Sequence, residues 1–145
     1  MRNRCATRGR RACKVTNLRR IVADDYFKGM FTTALKDGEI ITEVQFPIPV
    51  RAAYVKFDQP ASRFALTAVF VAQYPNGVRV AVTGASNGGV FRWHEAETAL
   101  SADFSAHAIA DLTVNPSGMI ADLHGSPAYR ANLVKVLTGR AVTAA

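Results

Sequence analysis

The order of the hydrophobic periodicities along the chain limits its fold more than any other feature. Up to residue 83, apolar residues alternate with polar ones or form short continuous runs, and both patterns are typical of strands. From Trp93 onward, apolar residues recur at helical spacing. Strands followed by helices predict an α+β fold, in which an antiparallel sheet of three to four strands carries three helices on one face. A doubly wound fold is not expected, because its strands and helices would alternate.

Turn and breaker residues give the bounds of the predicted strands. Residues 39–46 alternate apolar and polar side chains and stop at a proline. Residues 52–57 and 78–83 are two further strands, and residues 64–74 are apolar on both faces, which predicts a central strand. Residues 75–77, with the sequence Pro-Asn-Gly, predict a hairpin turn in which Asn-Gly supplies the positive φ values.

The second half of the chain carries the start signals of three helices. Residues 93–100 are acidic at their beginning, as a helix N-terminus prefers. Residues 105–112 follow a serine cap, and Ser126 caps a third helix that has Pro127 at its first position. The glycine-rich residues 84–89 lack the spacing of nucleotide-binding loops, so we expect a plain strand-to-helix connection there.

The net charge of +7 is concentrated at the N-terminus. Residues 1–20 hold eight basic side chains and no acidic one, whereas the rest of the chain carries 10 basic and 11 acidic residues, or −1. We expect residues 1–20 to form a basic arm that is disordered or not native to the fold, ahead of one domain over residues 21–145. Such an arm can bind nucleic acid or an acidic partner. Nucleic acid is the less favoured partner, because the arm has no aromatic residues.

The patterns of cysteine, histidine and hydropathy argue against several other classes of protein. The spacing of Cys5 and Cys13 fits neither a redox motif nor half of a zinc site, so we expect free thiols. The three histidines are scattered, and no metal site is expected. The longest apolar run, residues 65–72, is too short to span a membrane, and no apolar segment follows the basic N-terminus. A cytoplasmic location is therefore expected.

One strand carries a lysine whose surroundings bear on function. Tyr54, Val55 and Phe57 favour a strand, Pro60 ends it, and Lys56 lies inside it. A lysine in this position either lies on a solvated face or points at an anion. The residues alone favour the solvated face.

Five separated segments, residues 24–29, 32–44, 54–65, 91–92 and 122–134, carry a family resemblance. In order and spacing they resemble the flavoprotein (medium) subunit of aerobic carbon monoxide dehydrogenase, in the xanthine dehydrogenase-like molybdenum hydroxylase family. The similarity runs from about Arg20 to the C-terminus and corresponds to the C-terminal part of that subunit. It implies the same sandwich of strands followed by helices.

The resemblance also implies a cofactor, FAD. In the family, an N-terminal domain holds the FAD pyrophosphate with two glycine-rich loops, and neither loop is in this sequence. By position, Lys56 matches a lysine that faces the flavin, and Ile41 matches an apolar residue that packs near it. A fixed positive charge there would stabilise negative charge that develops on the reduced ring. Ser62 and Arg63 match a family segment without an assigned role, and no catalytic residue is assigned.

Two functions follow from these observations. In the first, the chain is part of an oxidoreductase in which electrons pass from molybdenum through iron–sulfur clusters to FAD and an acceptor. Its partners would be the FAD domain, an iron–sulfur small subunit and a molybdopterin large subunit. We expect a truncated form without the main FAD-binding domain, inactive alone, with Phe27, Phe31 and Ile41 exposed. The alternative is a non-enzymatic interaction module whose basic arm binds nucleic acid or an acidic partner.

Overall fold

The computed structural model describes residues 18–145, so most of the predicted basic arm, with Cys5 and Cys13, lies outside the described residues. The described chain is an α+β structure with a two-stranded and a four-stranded antiparallel sheet, as the order of periodicities predicted. The four-stranded sheet has the order β3-β4-β5-β6. The elements in chain order are α1 (Ala23–Tyr26), β1 (Phe27–Gly29), β2 (Thr32–Thr33), β3 (Arg51–Asp58), β4 (Ala65–Tyr74), β5 (Gly77–Ser86), β6 (Gly89–Arg92), α2 (His94–Ala102), a 3-10 helix (Ala106–Ile109) and α3 (Pro127–Ala144).

Helices cover one face of the large sheet and leave the other face open. β4 pairs with β3 on one side and β5 on the other, which confirms its predicted central position. Helix α3 packs on β3 and β4, and α2 packs on β5. The core between sheet and helices is apolar, and its largest contributors are Val69, Val71, Val80, Val82, Trp93, Leu100, Ile109, Leu133, Val134 and Leu137.

The predicted hairpin between β4 and β5 is present with a different φ pattern. Tyr74 pairs with Gly77, so Pro75 and Asn76 are the two turn residues. Gly77 has φ +136°, whereas Asn76 has no positive φ. Proline at the first turn position fixes a negative φ, and the glycine after the turn absorbs the unusual conformation.

The predicted strand over residues 39–46 is wrong. Residues 39–49 pair with no strand in the described chain, and they run in an irregular path to β3. Phe46 is 83% exposed and Ile40 is 69% exposed. Alternation of apolar and polar residues indicates that the two sides of an extended segment face different environments. A strand also requires hydrogen bonds to a neighbouring strand, and alternation does not show whether these form. Neither named sheet pairs with these residues, although β3 is an edge strand.

Two other predictions need correction. Residues 84–89 are not a strand-to-helix connection: β5 continues to Ser86, Asn87 and Gly88 form a turn, and β6 begins at Gly89. The predicted helix over residues 105–112 is reduced to the 3-10 helix, although Ser105 caps it through a hydrogen bond from the Ala108 N–H. Helix α3 begins as predicted, with Ser126 accepting a hydrogen bond from the Tyr129 N–H.

Candidate functional site

Lys56 lies on the open face of the sheet. Its neighbours Val55 and Phe57 pack into the core, so alternation turns Lys56 to the opposite side. Its Nζ atom lies 2.8 Å from Asp58 Oδ1 and donates a 3.0 Å hydrogen bond to the Arg63 carbonyl oxygen. An ammonium has three N–H donors. The hydrogen bond to Arg63 uses one of them, and the Asp58 carboxylate pairs with the charge of the ammonium.

The turn that supplies the Arg63 carbonyl is held together by Gln59. The Gln59 N–H donates to the Phe64 carbonyl at 2.8 Å, and the Gln59 carbonyl accepts from the Arg63 N–H at 2.8 Å. The side chain adds a third bond, because Gln59 Oε1 accepts from the Ala61 N–H at 2.7 Å. One residue thus fixes both ends and the middle of the β3–β4 turn.

Arg63 adopts a left-handed backbone conformation with φ +59°. A non-glycine residue in this region costs of order 1–3 kcal/mol and persists only where surrounding bonds impose it. The bonds of Gln59 supply that constraint. The strained residue is also the one whose carbonyl holds the Lys56 ammonium.

The turn contacts a second loop through His124. Gln59 Nε2 lies 2.9 Å from His124 Nδ1, across a sequence separation of 65 residues. His124 belongs to a tight turn in which Asp122 Oδ1 accepts from the N–H groups of His124 and Gly125 at 3.0 and 3.1 Å. The two loops therefore form one connected polar surface beside Lys56.

Arg130 anchors this second loop to the protein interior. It is only 2% exposed. Its Nη1 donates to the carbonyls of Leu66 and Gly84 at 2.6 and 2.8 Å, and its Nη2 lies 2.7 Å from Asp122 Oδ2. The hydrogen bond from Arg130 is the main reason that the pKa of Asp122 lies below its usual range. The guanidinium fixes β4, β5, α3 and the His124 loop relative to one another.

The glycine-rich stretch serves this anchor and not a phosphate. Gly84 has φ +78°, and a Cβ atom there would lie 2.9 Å from the carbonyl oxygens of Ala65 and Leu66. Glycine is required because neighbouring backbone already occupies that space.

Ile41 lies in the irregular segment ahead of β3 and is 53% exposed. The described contacts do not join it to Lys56. Phe27 and Phe31 are also exposed, at 52% and 102%, as expected for a surface that another part of a larger protein covers. Tyr54 lies on the open face at 54% exposure, opposite Phe70.

A second polar cluster covers the part of the β5 edge that β6 does not pair. Glu97 accepts from the Val80 N–H at 2.9 Å, and Ser101 Oγ accepts from the Val78 N–H at 2.9 Å, so α2 occupies positions that a further strand would bond. Burial raises the pKa of the Glu97 carboxyl, but hydrogen bonds from Arg92 and Val80 outweigh it and leave the pKa lowered. This cluster is structural and lies apart from Lys56.

Sequence reasoning missed Gln59, Asp122, His124 and Arg130 as site residues. One signal was present for Arg130, since it falls on the same helical stripe as Val134, Leu137 and Ala141, where an arginine is out of place. The contact between Gln59 and His124 has no signature in one sequence, because it depends on how two distant loops meet.

Within residues 18–145, no group of three or more potential metal ligands comes together. No helix among them is long and apolar enough to cross a membrane.

Two curated relatives cover most of the chain. The glyceraldehyde dehydrogenase medium chain of Sulfolobus acidocaldarius is 32% identical over 133 residues, which make up 85% of this chain and 47% of that protein. The nicotine 6-hydroxylase medium subunit of Paenarthrobacter nicotinovorans is 34% identical over 141 residues, or 90% of this chain and 50% of that protein. No protein-family model matches the chain, and neither does any solved structure.

These two relatives indicate the class of protein, because both are medium subunits that match most of the chain. The chain is related to the medium subunits of the molybdenum hydroxylase family, which confirms the resemblance carried by the five segments. The chain spans about half the length of the curated relatives it matches.

Proposed function

We propose that this chain is the part of a molybdenum hydroxylase medium subunit that contacts the flavin ring of FAD. The observation that carries the proposal is the Lys56 ammonium, held on the open sheet face by an ion pair with Asp58 and a hydrogen bond to the Arg63 carbonyl. Medium subunits of this family are FAD-binding proteins, and the chain is related to two of them.

The described residues fit one edge of the flavin ring and do not account for the rest of FAD. Lys56 offers a charged donor, and Ile41 an exposed apolar side chain 15 positions earlier in the sequence. The pyrophosphate would have to be held elsewhere, because Gly84 is committed to the anchor around Arg130. FAD, when bound, accepts two electrons and passes them to an acceptor. This chain's contribution is one wall of a shared site.

Within that wall, Lys56 supplies a preorganised positive charge. Asp58 neutralises part of its field, and the Arg63 carbonyl fixes the direction of the ammonium. A fixed donor aimed at a group that gains negative charge stabilises it without reorganisation. Ile41 would exclude water from the ring, which strengthens the same interaction.

The proposed partners are the FAD domain, an iron–sulfur small subunit and a molybdopterin large subunit. Exposed apolar side chains on the described surface support a larger assembly, because monomeric proteins rarely leave such patches bare. The chain would act as a component in electron transfer from iron–sulfur clusters through FAD to an acceptor. A cytoplasmic location stays a prediction.

The alternative, a non-enzymatic module whose basic arm binds nucleic acid or an acidic partner, has less support. Residues 1–17 lie outside the described chain. Within the predicted arm, Arg19 bonds Glu39 through its Nε at 2.9 Å, so this arginine contacts the domain instead of a separate partner.

FAD titration tests the proposal. The full chain is titrated alone, and again with the part of the nicotine 6-hydroxylase medium subunit outside the matched region supplied as a separate polypeptide, while FAD fluorescence is followed. We expect uptake in the mixture and a loss of about tenfold in affinity for Lys56→Met, the scale of one charged hydrogen bond. Lys135→Met is the matched control, because Lys135 also bonds a backbone carbonyl but lies on α3. Equal FAD affinity for Lys56→Met and the unchanged chain, or no uptake by folded protein, would overturn the proposal.

A further inference from the structure

We propose that residues 39–46 are a docking segment, which pairs as a β-strand with the edge of a sheet in the rest of a medium subunit. The proposal rests on the proposed function for the identity of the partner. It goes further by stating which segment docks and by which bonds, and neither the resemblance nor the names of the relatives assign this.

The docking segment is extended in the chain alone. Gln45 Nε2 donates to Glu43 Oε1 at 2.6 Å, so these two side chains lie on the same side of the backbone. Side chains two positions apart share a side in an extended chain, and their neighbours point to the opposite side. The opposite side carries an apolar row, namely Ile40, Thr42, Val44 and Phe46.

The apolar row and the backbone of the docking segment are both open. All residues from 40 to 48 are exposed. In the apolar row, Ile40, Val44 and Phe46 are 69%, 60% and 83% exposed. Among residues 18–145, no hydrogen bond joins the backbone of residues 40–49 to the backbone of another residue. Strand addition uses these same two features, because backbone bonds supply affinity and alternate side chains fill pockets on the partner.

Hydrogen bonds hold the chain at both ends of the docking segment. At its start, the Glu39 N–H donates to the Lys36 carbonyl at 3.0 Å. Beyond its end, the Val50 N–H donates to the Gln73 carbonyl of β4 at 2.7 Å. An extended segment that is held at both ends loses less conformational freedom on binding. Pro47 has no N–H to donate, so pairing with the partner stops there.

The lengths of the relatives indicate what supplies the sheet edge. The matched stretch makes up 47% of one curated medium subunit and 50% of the other, so each has a further half that this chain does not match. Neither sheet of the described chain pairs with the docking segment, although β3 is an edge strand. A second copy of this chain is the competing partner, and its binding would depend on the concentration of this chain alone.

Hydrogen exchange tests the pairing. The full chain is isotope-labelled and is studied by NMR alone and after co-expression with the part of the nicotine 6-hydroxylase medium subunit outside the matched region. Only every second N–H of an added strand faces its partner. We therefore expect the complex to slow exchange about tenfold at alternate amides of residues 39–46, as for one hydrogen bond each. Apolar packing without strand pairing would protect neighbouring amides alike.

Two serine variants test the apolar row, and dilution of the purified complexes measures their affinity. Val44→Ser should weaken the complex about tenfold, because a valine side chain is no longer buried. Gln45→Ser, on the other side of the segment, is the matched control and should change the affinity by less than about threefold. Both residues are exposed and lie outside the sheets, so both variants should keep the urea midpoint of the unchanged chain.

Uniform protection or no protection of residues 39–46 would overturn the inference, and so would equal affinities of the two serine variants. Alternating protection that grows with the concentration of this chain alone would replace the proposed partner by a second copy. The FAD titration keeps the two proposals apart. Alternating protection in a complex that takes up no FAD supports the docking segment and overturns the proposed function. FAD uptake by a complex without this protection overturns the docking segment alone.

Discussion

At the residue scale, Gly84 and Arg130 shape the same junction. The Gly84 carbonyl accepts from Arg130, and the Gly84 Cα lies where two carbonyls of β4 leave no room for a side chain. The junction carries the His124 loop through Asp122. Residues far from Lys56 in sequence therefore determine the positions of the loops near it.

Gly84→Ala separates steric contact from backbone strain. Gly84 and Gly118 have nearly equal φ values, +78° and +80°, but a Cβ at Gly118 meets nothing within 4 Å. We expect Gly118→Ala to lower the free energy of unfolding by about 1 kcal/mol, the cost of left-handed strain. Gly84→Ala should cost about 3 kcal/mol, because backbone must also shift. Urea unfolding followed by circular dichroism measures both, and equal losses would contradict the steric argument.

Arg130→Met tests the buried anchor. Removal of the guanidinium leaves the Asp122 carboxylate and two carbonyl oxygens without their partner, which should cost about 3–5 kcal/mol of unfolding free energy. Arg140→Met on the same helix is the matched control, because Arg140 is exposed, and we expect a change within about 0.5 kcal/mol. Similar urea midpoints for the two variants would show that the buried contacts contribute no net stability.

At the scale of elements, the sequence predicted a helix or strand correctly where one type of residue determines it. Ser126-Pro127 predicted the start of α3, and the apolar run ahead of residue 74 predicted a central β4. The same reasoning misread residues 84–89, because a glycine required by a close backbone contact resembles a glycine that ends a strand. It also misread residues 39–46, since alternation does not reveal whether a sheet edge is available.

Arg19 and Glu39 form an ion pair within the segment before β3. Arg19 Nε donates to Glu39 Oε1 at 2.9 Å, and Glu39 Oε2 accepts from the Lys36 N–H at 2.7 Å across the turn at residues 36–38. The side-chain hydrogen bond from Arg19, followed by that backbone bond, lowers the pKa of Glu39 to about 2. A lowered folded-state pKa means that the stabilisation is present above the ordinary carboxyl range and is lost as pH falls through the folded value.

We therefore expect Glu39 to remain ionised at pH 3, where an ordinary glutamate is protonated. Carbon-detected NMR of the side-chain carboxyl measures this, and Arg19→Gln should bring the midpoint back toward about 4.3. Arg20→Gln, one residue further, is the control and should leave the midpoint low. A midpoint in the ordinary range for the unchanged chain would mean that the pair does not form in solution.

At the scale of the whole molecule, the described chain divides into a well-packed part and an uncovered part. The sheet, α2 and α3 share one core. Residues 40–50, the uncovered segment, instead turn large apolar side chains to the surface, namely Ile40, Ile41, Val44, Phe46, Ile48 and Val50. A sequence can predict which apolar residues are stabilised by burial, but the surface that covers them need not belong to the same chain. This is why the core was predictable and Ile41 was not placed against Lys56.

Dye binding tests whether the uncovered segment is a single apolar surface. Phe46 and Leu123 are almost equally exposed, at 83% and 90%, but only Phe46 stands in a run of sequence, residues 40–50, that is rich in exposed apolar side chains. We expect the full chain to bind the dye ANS, Phe46→Ser to reduce its fluorescence by about half, and Leu123→Ser to leave it nearly unchanged, because scattered apolar residues do not form a patch. Equal effects of the two substitutions would mean that residues 40–50 form no joint surface. If the covering surface belongs to the rest of a medium subunit, adding that polypeptide should remove the ANS signal in step with FAD uptake, whereas loss of the signal through self-association would depend on the concentration of this chain alone.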